Sequence, residues 1–587
     1  MKKHDTRTYY VGLCATYHDP ALSILNHAGE ILFAEATERH LQYKRALNCE
    51  PDNLYLIPKL LSEHCGDADE FVIACNWRRS RPIYERLAKM LGWLSPRGIL
   101  NGKGRRLTTW LEMYQIHHML ACQHHAMRRI GLNLARTLGR DFPGASVRFR
   151  HYDHHLTHAA LACYGSPFDQ AACAVIDSYG EEGSMAFFAY RNGRLKPLFE
   201  ARGPLSLGFY YMKLTELCGF DWIGGEEWKV MGLASYGRID EEVLSWLRGT
   251  MRIEGLRLAP DYERFFEYLN RLITRRRLKN QAPEAVADLA HTGQHFFTET
   301  VNRLIANLHE LASSDNLAFG GGCALNSVCN GQLLAHTPFQ SLYVPPAPAD
   351  DGTALGAALL AFHDDHPESR TEPRRLSPYL GSRIKRDAIE RLAQYAQLPV
   401  RHLPDGAVIT AAADLLAQGK ILGWVQGCAE FGPRALGNRS ILADPRSRDM
   451  GERINRDVKF RERFRPYAPV VLHEHGPDFF ENYQESPYMD RTLRFRPTVL
   501  DRVPAVVHVD GTGRLQTLKQ DWNPRFHALL GEFHRRTGVP VLLNTSFNVM
   551  GKPIVHSVED AAGVLLTSGL DALVIDDHLF TKPGLQP

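Results

Sequence analysis

The sequence predicts an α/β protein built from two units, and three features carry that prediction. Short apolar runs with strand character alternate with amphipathic helical stretches along the chain. At 587 residues it exceeds one ordinary domain of ~100–200 residues. Periodicity breaks once, at HDDHPESRTEPRR (363–375), which is polar, charged and proline-containing as linkers are. The break divides the chain into units 1–365 and 376–587. With 44% hydrophobic and 23% charged residues, each unit can bury a core of its own.

Taken in order, YYVGLCAT reads as a buried strand, ALSILN as a second and ILFAEAT as a third. The turn between the first two places Thr16, His18 and Asp19 at its tip. Residues 53–140 read as helix-rich, with amphipathic stretches such as NLYLIPKLLSEH. Strands return at AACAVID and SMAFFAYR, parted by the turn GEEG. A helical stretch follows over about 240–312, then NLAFGGGCALNSVCNG reads as a strand, a glycine-rich loop and a helix. No internal repeat or low-complexity segment is visible.

Charge narrows the function classes. A formal net charge of +3 gives no global field for nucleic acid or a membrane surface, and no apolar run reaches the ~18 residues of a bilayer span. The eleven cysteines form no CxxC pairs and sit in apolar contexts such as Cys14, Cys173, Cys218 and Cys323, which suits reduced thiols. The N-terminus lacks the apolar core of a signal peptide. A cytoplasmic protein is the expectation.

The stretch from Gly423 to Pro469 packs Arg434, Arg439, Arg446, Lys459, Arg461, Arg463 and Arg465 among glycines and prolines. A solvated basic face would interleave such charges with acids at helical spacing. Cations on tight turns suit bidentate contacts to phosphate or carboxylate oxygens instead. This predicts a site for a phosphorylated small molecule.

Metal chemistry is suggested further upstream. In HYDHHLTHAALACYG, His154 and His158 stand at i and i+4 on one helix face, the spacing that converges two imidazoles on one ion. Asp177 ends the strand ACAVID, and Asp350 and Asp351 precede a small-residue helix. Such a nitrogen and oxygen set suits Fe(II), Mn or Zn better than Ca. His155 points to another face, and His117, His118, His124 and His125 have no carboxylate in step with them, so they read as ordinary helix residues. Gly320, Gly321 and Gly322 follow a strand and open a helix at Asn326, where free backbone N–H groups would meet phosphate or adenosine. Asp351 looks like part of a second nucleotide loop. Lys229, in GGEEWKVMGLA, reads either as a phosphate ligand or as a salt-bridged residue.

These pieces together resemble the ATP-dependent O-carbamoyltransferases of the NodU/CmcH type, which serve nodulation factors and antibiotic or other natural-product biosynthesis. The likeness runs nearly end to end, through HDPAL, HHLTHA, EEWKVMGLASYG, FGGGCALN, DDGTALGAA, SPYLG, EFGPRALGNRSILADPR, FRERFRPYAP, HVDGTGRLQT and NTSFNVMGKPIVHSVEDA. It implies an ASKHA (actin-like ATPase) fold for carbamoyl transfer over 1–365 and a YrdC-like α/β domain that makes carbamoyl-adenylate over 376–587. It implies carbamoyl phosphate, ATP with Mg, and a hydroxylated small-molecule acceptor as partners, with a homodimer as a family-level expectation. It places the metal, Fe(II) first and Mn or Zn as alternatives, on His154, His158, Asp177 and Asp350. Arg434 and Lys459 become catalytic, together with Lys229, while Arg439, Arg465, Arg514, Asn544, Ser546 and Asn548 join the nucleotide and phosphate site. His18 or Asp19 is the expected base toward the acceptor hydroxyl. Two departures stand out: Ser178-Tyr179 replaces the usual glycine-containing step after Asp177, and Ala21 replaces a serine after HDP. Competing readings are a HypF-type transferase, whose CxxC modules are missing here, a tRNA threonylcarbamoyl-type enzyme, and a catalytically silent nucleotide-binding protein.

Overall fold

A computed structural model describes residues 7–66, 68–78, 110–202, 205–368 and 374–584. Part of the expected helical insert, 79–109, and the middle of the expected linker, 369–373, lie outside the described residues.

The N-terminal half holds two five-stranded sheets. In the first, Thr8–Cys14, Ala21–Leu25 and Ile31–Ala36 form an antiparallel meander, and Glu70–Cys75 and then Ser146–His151 add in parallel beside Thr8–Cys14. The second repeats that plan: Gln170–Ile176, Met185–Arg191 and Arg194–Glu200 run antiparallel, and Asn316–Gly320 and then Ser341–Tyr343 add in parallel. The topology is therefore duplicated although the sequence shows no repeat, because strand order and sense constrain only the hydrophobic pattern, not residue identity.

Two helices, His154–Tyr164 and Gly352–Asp365, pack on one another between the sheets. The small residues of DDGTALGAAL explain how closely. A Cβ on Gly356 would sit 1.9 Å from the Thr157 carbonyl oxygen, and one on Gly12 would sit 1.9 Å from that of Ala354. Helix meets helix, and helix meets strand, through glycine on one side of each contact. Gly356→Val would force this packing apart at a cost of ~1–3 kcal/mol or more.

Residues 400–581 build a separate nine-stranded mixed sheet whose centre is Leu422–Val425, Arg439–Ala443, Val541–Ser546 and Ala468–Leu472. Helices Ala407–Ala417 and Pro524–Thr537 pack together over its core. The stretch after the linker first adheres to the N-terminal half, where Ala34 N–H donates to the Leu380 carbonyl at 2.9 Å and Leu376 N–H to that of Gly165 at 3.0 Å. Further along, helix Ser327–His336 abuts strand Arg491–Arg494 so tightly that a Cβ on Gly331 would lie 2.1 Å from the Thr492 oxygen. The halves thus close on each other around a cavity of about 1780 Å³.

Two elements depart from the sequence reading. Glu70–Cys75, expected within a helix-rich region, is a strand flanked on both sides by parallel partners. Its unbroken run FVIAC is what a strand buried on both faces requires. Within the expected helical stretch 240–312, Met251–Glu254 and Arg257–Pro260 pair as a short hairpin between helices.

Candidate active site

The helix His154–Tyr164 starts where its N-cap, Asp153, accepts the Leu156 N–H, so His154 and His158 occupy its first turns and share a face. Asp177 follows the strand Gln170–Ile176, and Asp350 lies just before helix Gly352–Asp365. These four side chains are buried and bring one donor atom each within 4.8 Å of the others. His154 Nε2 lies 3.3 Å from both His158 Nε2 and Asp177 Oδ2, and His158 Nε2 lies 3.5 Å from Asp350 Oδ1. His158 Nδ1 donates to the Pro348 carbonyl at 3.1 Å, which leaves Nε2 as the lone-pair nitrogen facing the cluster. Trp77 stacks on His154 with ring centroids 4.6 Å apart. Two imidazoles and two carboxylates converging in a buried space fit a divalent metal of mixed nitrogen and oxygen preference. Burial opposes charge on His154, yet Asp177 and Asp350 push it up to about 10. Burial likewise opposes charge on Asp177, and against it the two histidines hold the carboxyl well below its ordinary range.

Beside this group lies the turn His18-Asp19. His18 Nδ1 is 2.9 Å from Asp19 Oδ2 and 3.6 Å from Asp350 Oδ2. Asp19 Oδ2 also accepts from Arg45 Nε at 3.1 Å and from its terminal nitrogen at 2.9 Å. Burial would raise the Asp19 pKa, but Arg45 and His18 overcome it and hold the group at about 2. A carboxylate so stabilised is a weak proton acceptor.

The glycine triplet behaves differently from the expectation. Gly321 N–H is taken by the Pro348 carbonyl at 2.9 Å and Gly322 N–H by Asp177 Oδ1 at 3.2 Å, so neither is free for phosphate. Gly321 has φ of +88°, and a Cβ there would meet the Ile176 oxygen at 2.3 Å. Gly320 packs against the backbone of His158. The triplet is a packing turn that orients the Asp177 carboxylate. Asn326 is likewise committed, capping helix Ser327–His336 through Cys329 N–H and pairing with Gln294. Asp351 caps helix Gly352–Asp365 through the Gly352 N–H at 3.0 Å. Burial, with Asp19 and Glu38 nearby, pushes its carboxyl up to about 7.

Across the cavity stands a group of cations. Arg434, Lys459, Arg461, Arg465 and Arg514 all line it, with Ser546 and Asn548. Lys459 is buried, and its ammonium donates to Asn548 Oδ1 at 2.7 Å and to the Asn548 carbonyl at 3.0 Å, and also to the Ser546 carbonyl. Burial together with Arg461 and Arg465 pulls its pKa well below the usual lysine range. Burial alone draws Arg434 down to about 10, and burial with Arg434 and Arg461 holds Arg514 well below the ordinary arginine range. Apart from Arg465, which Glu462 pairs at 3.1 Å, these buried like charges lower one another's affinity for the proton and form a site that an anion stabilises. Arg461, expected as part of the same cationic stretch, belongs to this wall. Its guanidinium covers the Tyr467 ring at 4.5 Å and its Nε donates to Asn455.

Three expected site residues do other work. Arg439 is fully buried, and its terminal nitrogens donate to the carbonyls of Gln426, Asn438, Ser382 and Gly427 at 2.7–3.1 Å, so it ties loops together inside the protein. Asn544 is also fully buried, donating to Gln516 Oε1 at 2.7 Å and to the Ala435 carbonyl at 3.2 Å. Lys229 lines the cavity but is neutralised by Glu226 at 2.6 Å and Glu462 at 2.9 Å; the salt-bridged alternative holds. Beside it Arg465 pairs with Glu462 at 3.1 Å and lies 3.8 Å above the Trp228 ring. Among the other histidines, His155 is buried and burial with His154 draws it down to about 4. His118, His124 and His125 lie on helix Trp110–Arg129, away from the four-residue group, and the His117 side chain lies outside the described residues.

Comparison with known proteins adds an independent line. The family description Carbamoyltransferase N-terminus matches residues 9–359, and Carbamoyltransferase C-terminus matches 413–582. The chain is 37% identical to nodulation protein NolNO of Sinorhizobium fredii over 77% of this chain and 67% of that one. It is 36% identical to nodulation protein NolO of Bradyrhizobium diazoefficiens over 73% and 79% respectively. An uncharacterized protein of Synechocystis sp. is 31% identical over 98% of this chain and 97% of its own length. Among solved structures, full-length HypF in a phosphate- and nucleotide-bound form aligns with 61% of this chain and 55% of its own, at 11% identity and a TM-score of 0.34, a likeness too loose to carry a functional argument.

Proposed function

This chain belongs to the carbamoyltransferase family, and we propose that it is an ATP-dependent O-carbamoyltransferase acting in two steps, with a hydroxylated natural product as acceptor. The duplicated sheets of 1–365 are read as the ASKHA-type transfer domain, and 376–587 as the YrdC-like domain that prepares the carbamoyl group. In the first step carbamoyl phosphate and water give carbamate and phosphate. A carbamate oxygen then attacks the α-phosphorus of ATP, the bond to the β-phosphate breaks, and pyrophosphate leaves carbamoyl-adenylate. Lys459, Arg434 and Arg514 meet the charge that builds on the phosphoryl oxygens, in a buried setting where such contacts are strongest. Ser546 and Asn548 fix the lysine in place.

In the second step the acceptor oxygen attacks the carbamoyl carbon and AMP leaves. His18, oriented by Asp19, takes the hydroxyl proton. A divalent metal held by His154, His158, Asp177 and Asp350 would supply Lewis acidity toward the bound adenylate. Tyr179 stacks near Phe209 with ring centroids 6.2 Å apart, and both line the cavity, where they shape the acceptor's surroundings.

The observation that carries this reading is one cavity lined both by Asp177, Asp350 and His18 and by Lys459, Arg434 and Arg514. An intermediate made at the cationic wall then reaches the carboxylate wall within the same cavity. The test is to incubate the protein with carbamoyl phosphate and ATP and to follow pyrophosphate release and carbamoyl-adenylate by mass spectrometry, beside Arg434→Ala. Adenylate made by the parent chain and lost in the variant is the expected result. No adenylate from folded, metal-loaded protein sinks the proposal.

A further inference from the structure

A second group of metal-ligand residues lies outside the cavity, where the two halves meet. Glu35 is the penultimate residue of strand Ile31–Ala36, with its side chain fully buried. His40 comes from the short helix that follows, Thr37–Leu41, and His556 from the C-terminal half, just before helix Val558–Thr567. His40 Nε2 lies 2.9 Å and His556 Nε2 lies 3.6 Å from the same oxygen, Glu35 Oε2. The two rings stand edge to face with centroids 4.4 Å apart. The three donor atoms lie within 4.8 Å of one another.

Two observations set this group apart from an ordinary ion pair. Both Nε2 atoms are shut off from solvent and neither has a hydrogen-bond partner, despite the short approach to the carboxylate. Neither approach has the alignment of a hydrogen bond, so the buried nitrogens converge on the carboxylate as close charge contacts, a costly arrangement for polar atoms shut off from water. The carboxylate, in contrast, is held firmly. Ser382, also from the C-terminal half, donates its backbone N–H to Oε1 at 3.2 Å and its hydroxyl to Oε2 at 2.7 Å, the kind of outer support that fixes a metal-ligating carboxylate. The histidine side chains keep 10% and 20% exposure, which places the group near the surface although its donor atoms are shut off from solvent.

We propose that Glu35, His40 and His556 bind a second divalent transition metal, with zinc as the representative ion, which staples the N-terminal half to the C-terminal half. Two imidazoles and one carboxylate match that ion class and exclude calcium and magnesium, which require mostly oxygen. The staple sits among other contacts between the halves. Gln42 donates to the Ile554 carbonyl at 3.1 Å and Arg39 to that of Gly432 at 2.7 Å. Ala36, next to Glu35, and Ile554, two residues before His556, line the cavity, so the metal would hold one wall of the reaction space in register.

The test counts zinc. Untagged full-length protein is stripped with chelator, reloaded with zinc chloride, desalted and assayed by inductively coupled plasma mass spectrometry. His556→Gln is expected to lose one equivalent of zinc per chain relative to the parent. His154→Ala/His158→Ala should retain one equivalent, and adding His556→Gln to it should remove that last one. A zinc-dependent rise in thermal midpoint should persist in the double variant and vanish in the triple. If His556→Gln fails to fold by circular dichroism, His40→Asn replaces it in the same count. A parent and a folded His556→Gln or His40→Asn with equal zinc content would overturn the proposal, leaving Glu35 as a carboxylate paired with two histidines alone.

Discussion

The two walls of the cavity are electrostatic opposites. On one, Asp177 and Asp350 face His154 and His158, acids and bases that already satisfy much of each other's charge. On the other, Lys459, Arg434, Arg461 and Arg514 crowd together, and Lys459 and Arg514 are lowered by burial and by their cationic neighbours. The first arrangement selects a cation by donor type and spacing. The second selects an anion by accumulating donors that cannot pair among themselves. Because each wall is tuned to a different charge, each should fail separately when altered, and that separability is the sharpest thing to test.

The largest effect is expected on the carboxylate side. His158→Ala should lower carbamoyl transfer by ~10³-fold, the scale of losing several kcal/mol of Lewis-acid stabilisation. Pyrophosphate release by the same variant should stay within about twofold of the parent, since the altered residue stands on the opposite wall from the phosphate-binding cations. Equal losses in both assays would show that the walls are not independent. Next comes Lys459→Met, for which pyrophosphate release should fall by ~10²–10³-fold, as for loss of a preorganised donor to a developing charge. Transfer from separately supplied carbamoyl-adenylate should survive. If that transfer falls equally, Lys459 serves the second step and the comparison needs redrawing.

A third prediction separates two arginines that look alike in sequence. Arg439 donates to four backbone carbonyls, whereas Arg514 faces other cations. Arg439→Met should cost about 3 kcal/mol in urea unfolding by leaving buried carbonyls unpaired. Arg514→Met should leave the unfolding midpoint unchanged or slightly raised, while adenylate formation is lost.

That pair also shows how far the sequence was legible. The convergence of two imidazoles could be seen because a helix has a fixed repeat: once Asp153 caps it, His154 and His158 must share a face, whereas the choice of Asp350 over Asp351 beside them came only with the resemblance. The strands Thr8–Cys14, Gln170–Ile176 and Asn316–Gly320 were visible for the same reason, as uninterrupted apolar runs ending at turns. The stretch from 426 to 439 has no such repeat. Among its glycines and prolines, whether Arg434 or Arg439 turns toward the cavity depends on backbone dihedrals that composition does not encode, such as φ of +109° at Gly432 and +107° at Gly437. The free N–H groups expected of Gly321 and Gly322 failed for a related reason. Their partners, the Pro348 carbonyl and Asp177, arrive from distant segments. Lys229 is similar, since Glu462, its second partner, comes from the other half.

The smallest expected effect concerns that last contact. Burial would raise the Glu462 carboxyl, but Lys229 and Arg465 overcome it and hold the group at about 2 in the folded chain, against an ordinary glutamate value of ~4.3. A carboxyl depressed on folding contributes stability that is fully present above its unfolded value and is lost as pH falls toward the folded one. The window is therefore from ~4.3 down to about 2. Because the Glu462 side chain is 30% exposed, solvent screening reduces the contribution to ~1–2 kcal/mol. Glu462→Gln should lower stability near neutral pH by that amount and flatten the acid limb of the unfolding midpoint within the window. An acid limb of unchanged steepness would mean that Lys229 is held by Glu226 alone, and that the contact between the halves at this point contributes shape rather than stability.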